Sequence, residues 1–210
     1  MPQSRRGALF IGLVAASVGC GARGRRVLAA IELRLARGGI GRVVAANLAA
    51  LLGLPFGFAS HFAPQALYRA IGIYRERFEP SPQLERPHVI VGVNVVAADT
   101  EATAQAHLEL SRRARVRNLF RRGDEKLTED QVDAILRSPQ SAQIDEMLRY
   151  AAVGTPATVR AYLEDFVEKT EADELIVVHH APSVADRLRS VELLAEAVEL
   201  TAAASSSASS

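Results

Sequence analysis

Tryptophan is absent from the 210 residues, and aromatic residues amount to only 5% of them. A stacking platform for single-stranded nucleic acid needs several exposed rings, so such a platform is not expected. Cysteine occurs once, at Cys20. One thiol forms neither an intrachain disulfide nor a thiolate metal cluster, and a reducing compartment is its simplest setting. Long hydrophobic runs are missing as well: Ala8 to Val18 falls short of the ~20 residues that a membrane-spanning helix requires. No phosphate loop, zinc-ligand spacing or nucleophile elbow is present. Acidic residues are scarce at the start, where residues 1 to 50 hold eight Arg and only Glu32 as an acid, a local charge of +7. The remainder carries −6, so the net charge of +1 hides a mildly acidic body without a basic nucleic-acid face.

What is present suits one globular domain, with 49% hydrophobic and 23% charged residues. Leu54 to Ala59 is a short apolar run behind Gly53, a plausible left-handed helix cap, and reads as a buried strand. Pro64 opens a helix with Leu67, Ile71, Tyr74 and Phe78 at three- and four-residue spacing. Val89 to Val96, VIVGVNVV, is a second strand buried on both faces, and Asp99 or Thr100 caps a helix from Glu101 to Leu119. The basic run Arg112, Arg113, Arg115, Arg117, Arg121 and Arg122 reads as a solvated helix face and loop. Residues 123 to 150 form an excursion of short helices. Thr155-Pro156 starts a further helix, with Thr155 as its N-cap, and Glu174 to Val178 is a third strand. The last helix is expected to bury Val184, Leu188, Val191, Leu194 and Ala195.

The wording of several segments resembles the luciferase-like, flavin-dependent monooxygenases: LGLPFGFASHFAP, PSPQLERPHVIVGVNVVAADT, VGTPATVRAYLEDF, ADELIVV and RLRSVELLAE, in that order. The resemblance implies a partial (β/α)8 TIM-type barrel, an α/β fold with about three parallel strands equivalent to strands 6 to 8 and covering helices. Strands 1 to 5 are not recognisable, so two sheet edges are expected to stay open. It also implies a reaction in which reduced FMN, supplied by a reductase, and molecular oxygen act on a small organic substrate. Expected partners are that substrate and oxygen, with a second copy or a complementary N-terminal half to complete the barrel. Neither nucleic acid nor membrane is expected. Catalysis by this chain alone does not follow from the resemblance.

Three regions are expected on this reading: residues 1–45, an atypical Arg/Gly/Ala-rich segment; 46–200, the C-terminal part of the monooxygenase domain; and 201–210, a disordered Ser/Ala tail. Residues 1–45 read either as a signal-like segment or, preferably, as GC-rich sequence translated in a shifted frame. The compartment is accordingly cytoplasmic, with export as a lipoprotein through Cys20 as the alternative. A non-enzymatic exported or lipid-anchored α/β protein and a flavin-free dimerising subunit remain the competing functions.

Ligands of α/β sheets bind at the C-terminal ends of the strands, which selects the candidate site residues. Ser60 and His61 follow the first strand, as a hydrogen-bond donor and as a polar contact or proton relay, or else as loop-stabilising groups. Asn94 lies within the second strand, facing the pocket or making a structural hydrogen bond. His179 and His180 end the third, and adjacent strand residues point to opposite faces, which argues against joint chelation of a metal. The flavin-pocket set is therefore Ser60, His61, Asn94 and His179, with no metal ligand and no assigned catalytic residue.

Overall fold

The computed structural model describes residues 10–12, 39–60, 64–121 and 126–198. Its centre is a sheet of five parallel strands. The three expected strands are β2 (Phe56–Ala59), β3 (Val89–Ala97) and β5 (Glu174–His179). Two short strands join them: β1 (Phe10–Gly12) along β5, and β4 (Ala151–Gly154) along the C-terminal end of β3. β3 pairs with β5 on one edge, and with β2 followed by β4 on the other. The sheet is thus open, with β1 at one margin and β2 and β4 at the other.

Helices α1 (Gly39–Leu51), α2 (Leu67–Glu76), α6 (Pro156–Thr170) and α7 (Val184–Ala197) cover one face. The main core lies there, because alternate strand residues Phe56, Phe58, Val89, Val91, Val93, Val95, Leu175 and Val177 all point that way. Tyr74, wholly buried, pins the entry to β2: its hydroxyl donates to the Leu54 carbonyl at 2.8 Å and accepts from the His88 N–H at 3.1 Å. Gly53 adopts φ 59°, as the helix-cap reading requires, and its carbonyl accepts from Ser81 Oγ at 2.8 Å.

Helix α3 (Glu101–Leu119) leads into the excursion, which comprises α4 (Glu129–Leu136) and α5 (Ser141–Met147). Thr100 caps α3 by accepting from the Thr103 N–H at 3.1 Å. Val116, Val132 and Ile144 form a second small core among these helices. The basic run of α3 serves largely to hold them together. Arg113 pairs with Asp133 and Glu129, Arg117 with Glu129, and Arg112 with Asp145, at 2.5–2.8 Å.

Two local expectations are corrected. Thr155 does not cap α6 with its side chain. Its hydroxyl instead donates to Glu101 Oε1, which also accepts from the Thr155 N–H, at 3.0 Å each. In α7 the buried face is Ser190, Leu193, Leu194 and Ala197, while Val184 and Leu188 are 70% and 59% exposed. The helix is turned by Ser190, whose hydroxyl accepts from the Ala97 N–H at 3.1 Å and bonds His179 at 2.8 Å. A serine on the buried stripe breaks the apolar pattern from which a helix face is read.

Candidate functional site

The face of the sheet away from the main core carries the other set of alternating residues. Gly57 and Ala59 of β2 are exposed there, and Ile176 and Val178 of β5 are half-buried. Ile90, Gly92, Asn94 and Val96 of β3 lie between them. This inner face is largely apolar, with small side chains toward β2; it is open at the β2 positions and half-open at those of β5, while the β3 residues between them are buried. The excursion closes its C-terminal end. Asn94 Nδ2 donates to the Met147 carbonyl at 3.1 Å and to the Tyr150 carbonyl at 3.4 Å, tying β3 to the turn before β4. Tyr150 and Gln65 link the same turn and α5 to the loop after β2, through the Pro64 carbonyl at 3.3 Å and Glu146 Oε2 at 2.7 Å.

Ser60 is wholly buried, and its hydroxyl donates to the Gly92 carbonyl at 2.5 Å. It anchors the end of β2 onto β3. His61 lies outside the described residues. Asn94 is wholly buried on the inner face, and its Oδ1 sits 2.8 Å from His180 Nε2. His180 also stands 3.0 Å from Arg115 Nη2, which reaches in from α3. Asn94, His180 and Arg115 therefore converge on one point near the C-terminal ends of β3 and β5.

His179 is not part of that group. It shares the orientation of Leu175 and Val177, so its ring is packed under α7 with Nδ1 2.8 Å from Ser190 Oγ and Nε2 buried without a described partner. Burial, with the Arg187 charge as a lesser cause, lowers its pKa to about 4. Nδ1 and the Ser190 hydroxyl share a hydrogen bond whose donor is set by the ring's tautomer, and the neutral ring is the form that burial favours. Of the pocket set, Asn94 lies on the inner face, Ser60 is buried at the end of β2 against the Gly92 carbonyl, and His179 points to the opposite face. Sequence reasoning treated Arg115 as one member of a solvated run. Nothing in the spacing of that run distinguishes it from its neighbours; only the fold of α3 over the sheet does.

Among the described residues no group of three or more His, Cys, Asp or Glu side chains is placed to hold a metal ion. No helix among them is long and apolar enough to cross a membrane. A groove of about 360 Å³ lies between α3, α5 and β4, lined by Leu108, Arg112, Asp145, Leu148, Ala151 and Val153. Arg112 and Asp145 already neutralise one another there at 2.8 Å, so the groove offers no uncompensated charge.

Parallel strands with helices on one face, and polar groups gathered at the strands' C-terminal ends, define a segment of a (β/α)8 barrel. The family can be named more closely. The luciferase-like monooxygenase family model matches residues 32–174, beginning upstream of the motifs that open near Ala46, and the chain belongs to that family. It is 42% identical over 153 residues to the Bacillus subtilis (strain 168) protein YvbT, covering 72% of this chain and 45% of that protein. An Escherichia coli (strain K12) luciferase-like monooxygenase is 36% identical over 157 residues, covering 73% of this chain and 46% of that protein. The crystal structure of apo-MsnO8 superposes with a TM-score of 0.62 at 36% identity, over 76% of this chain and 49% of that one. The chain thus spans just under half the length of the relatives it matches.

Proposed function

We propose that residues 46–200 form the C-terminal part of an FMN-dependent monooxygenase domain, and that the inner face of β2, β3 and β5 is one wall of its flavin and substrate pocket. The observation that carries this reading is the asymmetry of the sheet. Its outer face is sealed by helices, whereas the inner face leaves Gly57 and Ala59 exposed and Ile176 and Val178 half-covered. A flat aromatic ring system fits a wall of small apolar side chains, and the family supplies flavin as the ring in question.

Bound reduced FMN supplies the oxygen chemistry, by which one oxygen atom passes from dioxygen to a small organic substrate. The chain's own residues position and shield. Ser60 fastens the C-terminal end of β2 to Gly92 of β3, which fixes that end of the wall. Asn94 and Tyr150 keep the excursion over the C-terminal end, where exclusion of water protects the reaction. His61 is the proton relay or polar contact of this proposal, and His179 stays in the fold as a structural group. The opposite wall comes from strands 1 to 5 of the barrel, in a second copy or a complementary N-terminal half. The setting is cytoplasmic, with a separate reductase.

The test is direct. The purified chain is titrated with FMN and followed by quenching of flavin fluorescence and by its visible absorbance. Saturable binding supports the reading; an absence of binding at millimolar FMN removes flavin chemistry from this chain.

A further inference from the structure

The arginines of α3 divide into two sets. Arg112, Arg113 and Arg117 face the excursion and have carboxylate partners within 2.8 Å. Arg115 turns toward the sheet, is half-buried, and forms no ion pair among the described residues. Burial alone pushes its pKa down, as expected for a cation drawn out of water without a counter-charge. Such a group is costly unless something pairs with it.

Its contact with His180 leaves a hydrogen bond unresolved. Asn94 is held in one orientation, because Nδ2 already donates to the Met147 and Tyr150 carbonyls. Its Oδ1 therefore needs a donor from His180 Nε2, 2.8 Å away. The same nitrogen lies 3.0 Å from Arg115 Nη2, which can only donate. One ring nitrogen is a donor or an acceptor, never both. If it donates to Asn94, the arginine N–H faces an N–H; if it accepts from Arg115, Asn94 Oδ1 faces a lone pair. An oxyanion beside the guanidinium removes the conflict by accepting from Arg115 and leaving Nε2–H to Asn94.

We infer that Arg115, beside His180 at the C-terminal end of β3 and β5, is the anion-recognising group of the inner-face pocket, and that it takes a phosphate- or carboxylate-type oxyanion on the small molecule bound there. The inference rests on the inner face being the ligand wall proposed above. Guanidinium is suited to the task, since its fork of N–H donors matches two oxygens of either anion.

The experiment titrates the full chain with inorganic phosphate and with acetate while the ring signal of His180 is followed by NMR. Saturable movement is expected in the wild type, with affinity at least tenfold weaker in R115Q, partly retained in R115K, and unchanged in R137Q, a control at the exposed end of α4. A second arm compares FMN with riboflavin. A preference for FMN that disappears in R115Q assigns the oxyanion to the flavin phosphate; equal FMN affinity in wild type and R115Q assigns it to the acid group of a substrate. The inference is overturned if neither phosphate nor acetate moves the His180 signal, or if R115Q responds as the wild type does. Loss of flavin binding with the anion response intact would instead count against the proposed function and leave Arg115 in place.

Discussion

Acid should weaken this protein through His179 in a defined window. The folded state holds the ring neutral with a pKa of about 4, against about 6.5 in an unfolded chain. A folded pKa below the unfolded one means that the unfolded state binds the proton first. The stability that His179 contributes is therefore complete above about pH 6.5, drains away as the pH falls toward 4, and changes no further below that. The gap between 6.5 and about 4, at about 1.36 kcal/mol per pH unit, sets a ceiling of about 3.4 kcal/mol. Residual solvent access to the ring screens part of it, so about 2 kcal/mol is expected. Urea unfolding followed by circular dichroism, at half-unit steps between about pH 7.5 and 4, measures the loss directly. His179→Gln keeps a polar group toward Ser190 but cannot titrate, so its stability should fall by about 2 kcal/mol less across the same range. Parallel pH profiles for wild type and variant, within about 0.5 kcal/mol, would refute the account of a neutral, buried ring.

Gly154→Ala should destabilise by about 2–3 kcal/mol, because φ is +145° there and a Cβ would meet Glu101 Oε2 at 2.6 Å and Thr158 at 2.8 Å; a thermal melt lower by roughly 4–12 °C checks it. Tyr74→Phe removes the hydroxyl shared by the Leu54 carbonyl and the His88 N–H and should cost about 1–3 kcal/mol in urea unfolding, with the stack on Phe56 at 5.2 Å retained. Ala59→Ile adds a β-branched side chain at an exposed inner-face position of β2. Stability should change by less than about 0.5 kcal/mol, while FMN binding by fluorescence quenching should weaken at least tenfold; unchanged FMN affinity would remove β2 from the pocket wall.

Much of the fold was legible because its signals are local. VIVGVNVV has the continuous apolar character of a strand covered on both faces, and the structure buries every residue of Val89–Ala97. Thr100 and Pro156 mark helix starts by chemistry that acts within a turn, and Gly53 marks a stop. The two short strands escaped for a physical reason. AAVG is too brief to show a period, and its strand character comes from ladder hydrogen bonds to β3 residues more than fifty positions away. The buried face of α7 was misread because Ser190 is held inside by partners on β3 and β5, which no helical period encodes. The candidate site was half legible. Alternation along β5 correctly separates His179 from His180, but which of the two meets Asn94 depends on the side of the sheet that the helices cover. Arg115 shows the limit most plainly, since five residues of the same kind surround it in sequence and only tertiary placement sets it apart.

On the proposed reading, the two faces of the sheet divide stability from binding. On the outer face strand residues are large, interlocked and sealed, so changes there create cavities or strain and are felt throughout the domain. At the C-terminal ends of β2 and β3 the contacts of Ser60 and Asn94 run mainly to backbone carbonyls, those of Gly92, Met147 and Tyr150. Carbonyls stay in place whatever side chain their residue carries. The proposed wall positions Gly57, Ala59, Ile176 and Val178 are therefore free to vary without loosening these backbone anchors. If the inner face binds the ligand as proposed, substitution along it changes the ligand while the outer core and the two backbone anchors keep the same frame. The group least free to vary is Arg115, because removing or pairing its charge alters what His180 and Asn94 can donate and accept.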